Sequence, residues 1–251
     1  MHREFAERYG CNLYLARLYG HGIRQEGAMA AITPEKLLES AKRAIAIGQQ
    51  IGEKVIVMGT STGCSAALYL ASGNPDLAAI INYSPNIAIA DPNAKFMTYP
   101  WGLKIAQTVK GSNYHSWVPS KGTEDLVTNK YRLEAAVSLQ ALLDATMTKD
   151  VFEKITQPFF MGYWYKNEEV QDDVVSVVAM LEMYSQINTP ENLKRKIAFP
   201  NATNHVLASP LWNKDFEMVK QTTFDFADEV LKLELANQEE NLEILEPQAN
   251  N

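Results

Sequence analysis

One stretch constrains this chain more than any other. Lys54-Val-Ile-Val-Met58 is a short continuous apolar run, the pattern of a strand covered on both faces. It leads straight into Gly59-Thr60-Ser61-Thr62-Gly63, and then into a small-residue series that reads as a helix from about 62 to 72, stopped by Gly73-Asn74-Pro75. Ser61 is therefore expected on a tight strand-to-helix turn. Gly59 and Gly63 are expected to leave space where that turn approaches its neighbours. The helix behind it offers free N–H groups and a positive dipole end, both favourable to a developing anion. The plain alternative is a Gly-rich turn with a serine cap.

The rest of the chain repeats the same alternation. Asn12–Leu18 reads as a buried strand ending at Gly20-His21-Gly22. Thr33-Pro34-Glu35 opens a helix that runs to about Gly52: Thr33 can cap it, Pro34 fits its first turn, and Leu37, Leu38, Ala41 and Ile45 recur at helical spacing. Leu77–Tyr83, Pro158–Met161 and Lys196–Phe199 read as strands, with helices at about 174–187 and 213–235. Apolar strands alternating with helices specify an α/β fold, a mostly parallel central sheet with helices on both faces. The exception is 88–157, helical and loop-like with no convincing strand, which reads as an inserted helical cap. The core is thus expected in two parts, 1–87 and 158–236. Residues 237–251 form an acidic, polar tail, read as disordered.

Composition removes several function classes. The 251 residues are 46% hydrophobic and 21% charged, enough to build a sizeable core. The net charge is −7, and four of the acids (Glu239, Glu240, Glu243, Glu246) lie in the tail, so the body is about −3. With no basic excess to neutralise phosphates, nucleic acid is not an expected partner. Cys11 and Cys64 make neither a disulfide framework nor a metal-ligand cluster, so no metal or cofactor is expected. No apolar run reaches the roughly 18 residues of a membrane span, and the first residues do not open a signal peptide. A soluble, cytoplasmic protein is the resulting expectation.

If Ser61 is a nucleophile, it needs a base, and the base needs an orienting acid. The histidines are His2, His21, His115 and His205. His205 is favoured because it follows the strand ending at Phe199-Pro200, which places it at the carboxyl edge of the sheet with Ser61. His115 lies in the cap, His21 in a Gly-flanked turn where a packing role is expected, and His2 at the terminus. The acid comes from a crowded region, Glu168, Glu169, Asp172 and Asp173. Asp172 is favoured because Asp172-Asp-Val-Val-Ser176 precedes the apolar run of a helix, although a helix-capping role has the same signature.

These residues resemble the α/β-hydrolase superfamily, and within it the serine esterases and monoglyceride-lipase-like enzymes. Gly59–Gly63 is similar to the family's nucleophile elbow, Asp172-Asp-Val-Val to its D-x-V-V segment after strand seven, and His205 to its histidine after strand eight. The order Ser, Asp, His is also the family's. Leu18-Tyr-Gly-His-Gly22 resembles its segment after strand four. The resemblance implies a carboxylic ester hydrolase acting on a small-molecule ester. Ser61 would attack, His205 would pass the proton, Asp172 would hold the imidazole, and the Thr62 backbone N–H would be an oxyanion donor. Phe96, Met97, Tyr99, Trp101, Tyr114 and Trp117 could line an acyl pocket or form the core of the cap. The other class of function is a non-catalytic hydrolase-like protein, or an enzyme fragment, that binds a small apolar ligand or partner. The sequence leaves the oligomeric state open.

Two departures from the family accompany the resemblance. Nine residues separate Gly162 from Asp172, longer than the usual spacer. The chain also begins at what looks like the helix after strand three, so the first three strands and the second oxyanion donor have no counterpart. A gap in mid-sheet between 12–18 and 54–58 is expected, with Met1 an internal methionine of a longer natural protein.

Overall fold

The computed structural model describes residues 1–22, 27, 29–119 and 121–236. The reading of 237–251 as a tail lies outside the described residues. The chain opens with α1 (His2–Tyr9), closed by Gly10 in the left-handed conformation at φ 62°. Then α2 (Pro34–Ile51) starts as the sequence requires, with Thr33 Oγ1 accepting the Lys36 N–H at 3.3 Å and Pro34 in the first turn. Next come β1 (Ile56–Thr60), α3 (Thr62–Ala71) and β2 (Ala79–Tyr83).

A 3-10 turn at Pro92–Thr98 leads into α4 (Gly102–Lys110), then β3 (Tyr114–Ser116), β4 (Lys130–Arg132), α5 (Leu133–Thr146) and the short α6 (Lys149–Phe152). β3 and β4 pair as an antiparallel hairpin in a region where the sequence offered no strand. Each strand is three residues long, too short for an alternation of apolar and polar residues to register. The chain returns to the main sheet as β5 (Phe159–Tyr163), α7 (Val177–Gln186), β6 (Lys194–Ala198) and α8 (Phe216–Phe226).

The main sheet is parallel throughout, in the order β1-β2-β5-β6. Successive side chains point to opposite faces, and this alternation builds two cores. Ile80, Phe159 and Met161 face one core with Leu68, Val175 and Met180. Ile81, Tyr83 and Phe160 face the other with Phe5, Val219 and Phe226. Being covered on both sides is why these strands read as unbroken apolar runs.

Residues 12–18 correct one expectation. They run without pairing into any ladder, and Leu13, Tyr14 and Leu15 are exposed. A strand needs a neighbour. Here a cavity of about 780 Å³ lies between this segment and the whole length of β1. A strand pairing both 12–18 and β1 would have to stand in that space, and among the described residues none does, so the backbone of 12–18 is exposed. β1 is therefore an edge strand, and the cavity runs along it from Ile51 to Ser61.

Candidate active site

Parallel strands point their carboxyl ends to one edge of the sheet, and the three expected residues all follow such ends. Ser61 follows β1, Asp172 lies beyond β5, and His205 lies beyond β6. Ser61 occupies φ 55°, ψ −122°, a conformation that costs a non-glycine residue roughly 1–3 kcal/mol and persists only where surroundings impose it. The imposition is visible. The Ser61 N–H donates to the Tyr83 carbonyl at 3.1 Å, and its own carbonyl accepts from Cys64 at 2.9 Å and Asn86 at 3.3 Å. A Cβ at Gly59 would lie 3.0 Å from the Cys64 nitrogen and the Gly63 carbonyl carbon, so the turn closes only over glycine there. Gly63 differs from expectation: a Cβ there would meet nothing within 4 Å, because the residue faces the cavity along β1.

Asp172 and His205 come together. His205 Nδ1 lies 2.7 Å from Asp172 Oδ2, with the aspartate side chain fully buried and the histidine nearly so. The other carboxylate oxygen, Oδ1, accepts from the Val174 and Val175 N–H groups at 3.0 and 3.2 Å. Helix α7 itself is capped by Ser176, whose Oγ accepts from Ala179 at 3.2 Å. The capping alternative for Asp172 therefore resolves into a division of labour: it holds the turn before the helix and the imidazole at once. Burial pushes its carboxyl up. The hydrogen bond to His205, the charge of His205 and the two amides outweigh that, leaving it below the usual aspartate value. His205 Nε2 is buried with no hydrogen-bond partner among the described residues, Ser61 included.

The long spacer is accommodated by looping out. Tyr165 bridges Gln171, and Lys166 donates to the Val170 carbonyl at 2.9 Å, so these residues form an exposed hairpin. Its base closes where the Asp172 N–H donates to the Trp164 carbonyl at 3.1 Å. The extra residues thus leave Asp172 next to the end of β5. The remaining acids do not compete: Glu168, Glu169 and Asp173 are exposed, and Glu168 accepts from the Tyr165 hydroxyl at 3.0 Å. The other histidines are elsewhere. His115 packs between Tyr131 and Trp117, His21 Nδ1 lies 3.1 Å from the Tyr19 carbonyl, and His2 is in α1.

Two features escaped the sequence reading. Asn82, Ser84 and Asn86 are buried at the carboxyl end of β2, between the strands that carry Ser61 and Asp172, and side-chain oxygens of all three lack partners among the described residues. Buried polar groups without partners are uncommon and call for a functional account. The signal available was a polar series, Asn82-Tyr-Ser-Pro-Asn86, at the end of an apolar strand. Of the residues expected as acyl pocket or cap core, Phe96, Tyr99, Trp101 and Trp117 are exposed, whereas Met97 and Tyr114 are half-buried.

No protein-family model matches this sequence, and no curated protein matches it. Solved structures do. The chain is similar to a structure described with LipS and LipT, two metagenome-derived lipolytic enzymes, at 17% identity and a TM-score of 0.67, covering 84% of this chain and 79% of that one. It is similar to the monoacylglycerol lipase of Paleococcus ferrophilus at 15% identity and a TM-score of 0.59, covering 81% and 77%. It is also similar to the enol-lactonase of Burkholderia xenovorans LB400 at 15% identity and a TM-score of 0.51, covering 79% and 74%. Sheet order, helices on both faces and these likenesses establish the α/β-hydrolase fold for this chain. Among the described residues, no helix is long and apolar enough to cross a membrane.

Proposed function

We propose that this protein is a serine hydrolase that cleaves carboxylic esters of small molecules, with Ser61 as nucleophile, His205 as base and Asp172 as the residue that orients it. The observation that carries the reading is the buried Asp172–His205 pair at 2.7 Å, whose Nε2 keeps a lone pair with no competing partner. Asp172 fixes the tautomer with the proton on Nδ1, which leaves Nε2 basic. Nε2 takes the Ser61 hydroxyl proton as Oγ attacks the acyl carbon. The developing oxyanion meets the Thr62 N–H, one of the first-turn donors that α3 leaves without an intrahelical acceptor. The same Nε2 proton passes to the leaving alcohol, and water then releases the acyl group from Ser61 by the reverse sequence. None of these steps draws on a metal or cofactor. The cavity along β1 gives an apolar acyl group room, since Val57, Ala67 and Leu70 line it together with Ser61.

A second reading has its own observation in support. Ser61 and His205 do not hydrogen-bond, so the same fold could bind a small apolar ligand in that cavity without turning it over. One experiment separates the two. A fluorophosphonate probe labels only an activated serine, and hydrolysis of short p-nitrophenyl esters reads turnover. Ser61→Ala should abolish labelling and lower kcat/KM by roughly four orders of magnitude or more. Turnover retained in a clean Ser61→Ala preparation would remove the nucleophile, and no labelling of the wild type would favour ligand binding.

A further inference from the structure

We propose that the face built from the 3-10 turn at Pro92–Thr98 and helix α4 docks on the surface of an anionic lipid bilayer. Ile105 and Val109 lie one turn apart on α4, and Trp101, the residue that precedes the helix, stands four positions before Ile105; the three are 58%, 81% and 82% exposed. Phe96 and Tyr99 extend this apolar stripe: they pack edge to face at 5.6 Å, and both are exposed. The opposite side of α4 faces the protein, with Gly102 buried against the backbone of Phe96 and Met97. Two tryptophans, Trp101 and Trp117, are thus on the outside of a protein that has apolar cores to place them in. An amphipathic ring at a surface is placed well at the boundary between headgroups and acyl chains.

Charge selects the partner. The chain carries −7, yet Pro92–Thr123 contains four lysines and no aspartate or glutamate. Lys95, Lys104, Lys110 and Lys121 are all exposed, and the Lys95 ammonium stands over the Phe96 ring at 5.2 Å. Carboxylates that touch this region are engaged within the fold: Asp91 accepts from the Asn93 N–H at 2.9 Å, Glu124 from the Gly122 N–H at 2.7 Å, and Asp144 from Thr98 at 2.8 Å and Gln140 at 2.7 Å. An apolar stripe flanked by lysines on an otherwise acidic protein matches a negatively charged interface, with apolar side chains entering it and ammonium groups remaining among the headgroups. A second copy pairing through this same face would set these lysines against its own lysines. The docking does not depend on Ser61, and so goes beyond the hydrolase reading.

The test is co-sedimentation of the full chain with vesicles of phosphatidylcholine containing about one third phosphatidylserine, against pure phosphatidylcholine. Wild type should partition about tenfold more strongly to the anionic vesicles, with Trp101 fluorescence shifting to the blue. Ile105→Asp with Val109→Asp should reduce that partition by about tenfold or more. Lys104→Glu with Lys110→Glu should remove the preference for phosphatidylserine. All four positions are exposed, so unchanged circular dichroism is expected and should be verified. Ser61→Ala should bind vesicles as the wild type does, which separates this proposal from the fate of the catalytic one. Equal, weak partition to both vesicle types by folded wild type would overturn it. So would a concentration-dependent dimer that Ile105→Asp dissolves, which would assign the stripe to a second copy.

Discussion

Strands β1 and β2 are neighbours of equal length, five residues each, and they live in different surroundings. Every residue of β2 is buried, whereas in β1 only Gly59 is. β2 has β1 on one side and β5 on the other, and both of its faces are covered. β1 has β2 on one side and a cavity of about 780 Å³ on the other. The helices repeat the difference: α7 buries four of its ten residues, while α2, which borders the cavity, buries only Leu37 of eighteen. The flank formed by β2, β5 and β6 is finished, with Asp172 and His205 locked at its carboxyl end. The flank outside β1 is open, and Ser61 stands on it. The proposed chemistry joins a residue from the open flank to a pair held by the closed one.

The largest expected effect is on that pair. Asp172→Asn keeps the oxygen that accepts from Val174 and Val175 but presents the wrong tautomer of His205, and kcat for ester hydrolysis should fall by roughly three to four orders of magnitude. Asp173→Asn, an exposed charge in solvent, should leave the rate within about twofold. The opposite ranking in steady-state assays would move the orienting role to Asp173. Stability should divide along the same line. Phe160→Ala, deep in the closed flank, should cost about 3–5 kcal/mol in urea unfolding. Val57→Ala, half-buried beside the cavity, should cost about 1 kcal/mol or less, because the lost methyl groups are already next to open space. Comparable losses at the two positions would mean that the β1 flank is closed in solution.

The way these flanks were read from the sequence shows what a sequence encodes. Side-chain chemistry was legible. The apolar runs marked β1, β2 and β5, the Thr33-Pro34 start marked α2, and Ser61, Asp172 and His205 followed from their places after strands. Each of those signals is carried by the residue itself or by its spacing. Edges are a property of backbone pairing and leave no such mark. Asn12–Leu18 has the composition of a strand; the expected gap between it and 54–58 came from the family resemblance, and nothing in the segment itself says that it would lose its strand pairing. The spacer before Asp172 was similarly opaque, because its solution is a hairpin closed by backbone bonds at Trp164 and Lys166. The cap aromatics were placed inside because aromatic residues usually are. Only the three-dimensional face of α4 shows that Trp101, Ile105 and Val109 point out together.

Acid should test the Asp172–His205 pair of the closed flank. The Asp172 carboxyl lies below its usual value: burial acts against this, and His205 and the two amides prevail. A carboxyl lowered in the folded state contributes stability that is complete above its unfolded value near about 4, and loses it as pH falls through the lower folded value. Urea midpoints measured from pH 6 down to about 3 should therefore fall more for wild type than for Asp172→Asn, which has no such proton to take up. Parallel curves would mean that the pair is not formed at the pH where activity is measured.

The smallest effect is the most direct probe of the open flank. The two glycines around Ser61 are matched in sequence and opposed in surroundings. A methyl group at Gly59 would press on backbone atoms at 3.0 Å that cannot move away, so Gly59→Ala should destabilise by about 1–3 kcal/mol. Gly63 lies in the first turn of α3 with nothing within 4 Å of its added carbon. Alanine there removes backbone freedom from the unfolded chain and clashes with nothing, so Gly63→Ala should stabilise by about 0.4–1 kcal/mol. The sign depends on the cavity. If another segment of polypeptide stood against β1 in solution, its atoms would occupy the space facing residue 63, and the same substitution would destabilise. A thermal melt of Gly63→Ala beside wild type thus reads the state of the flank: a rise of a degree or more matches the open edge, and a fall requires an occupant in it.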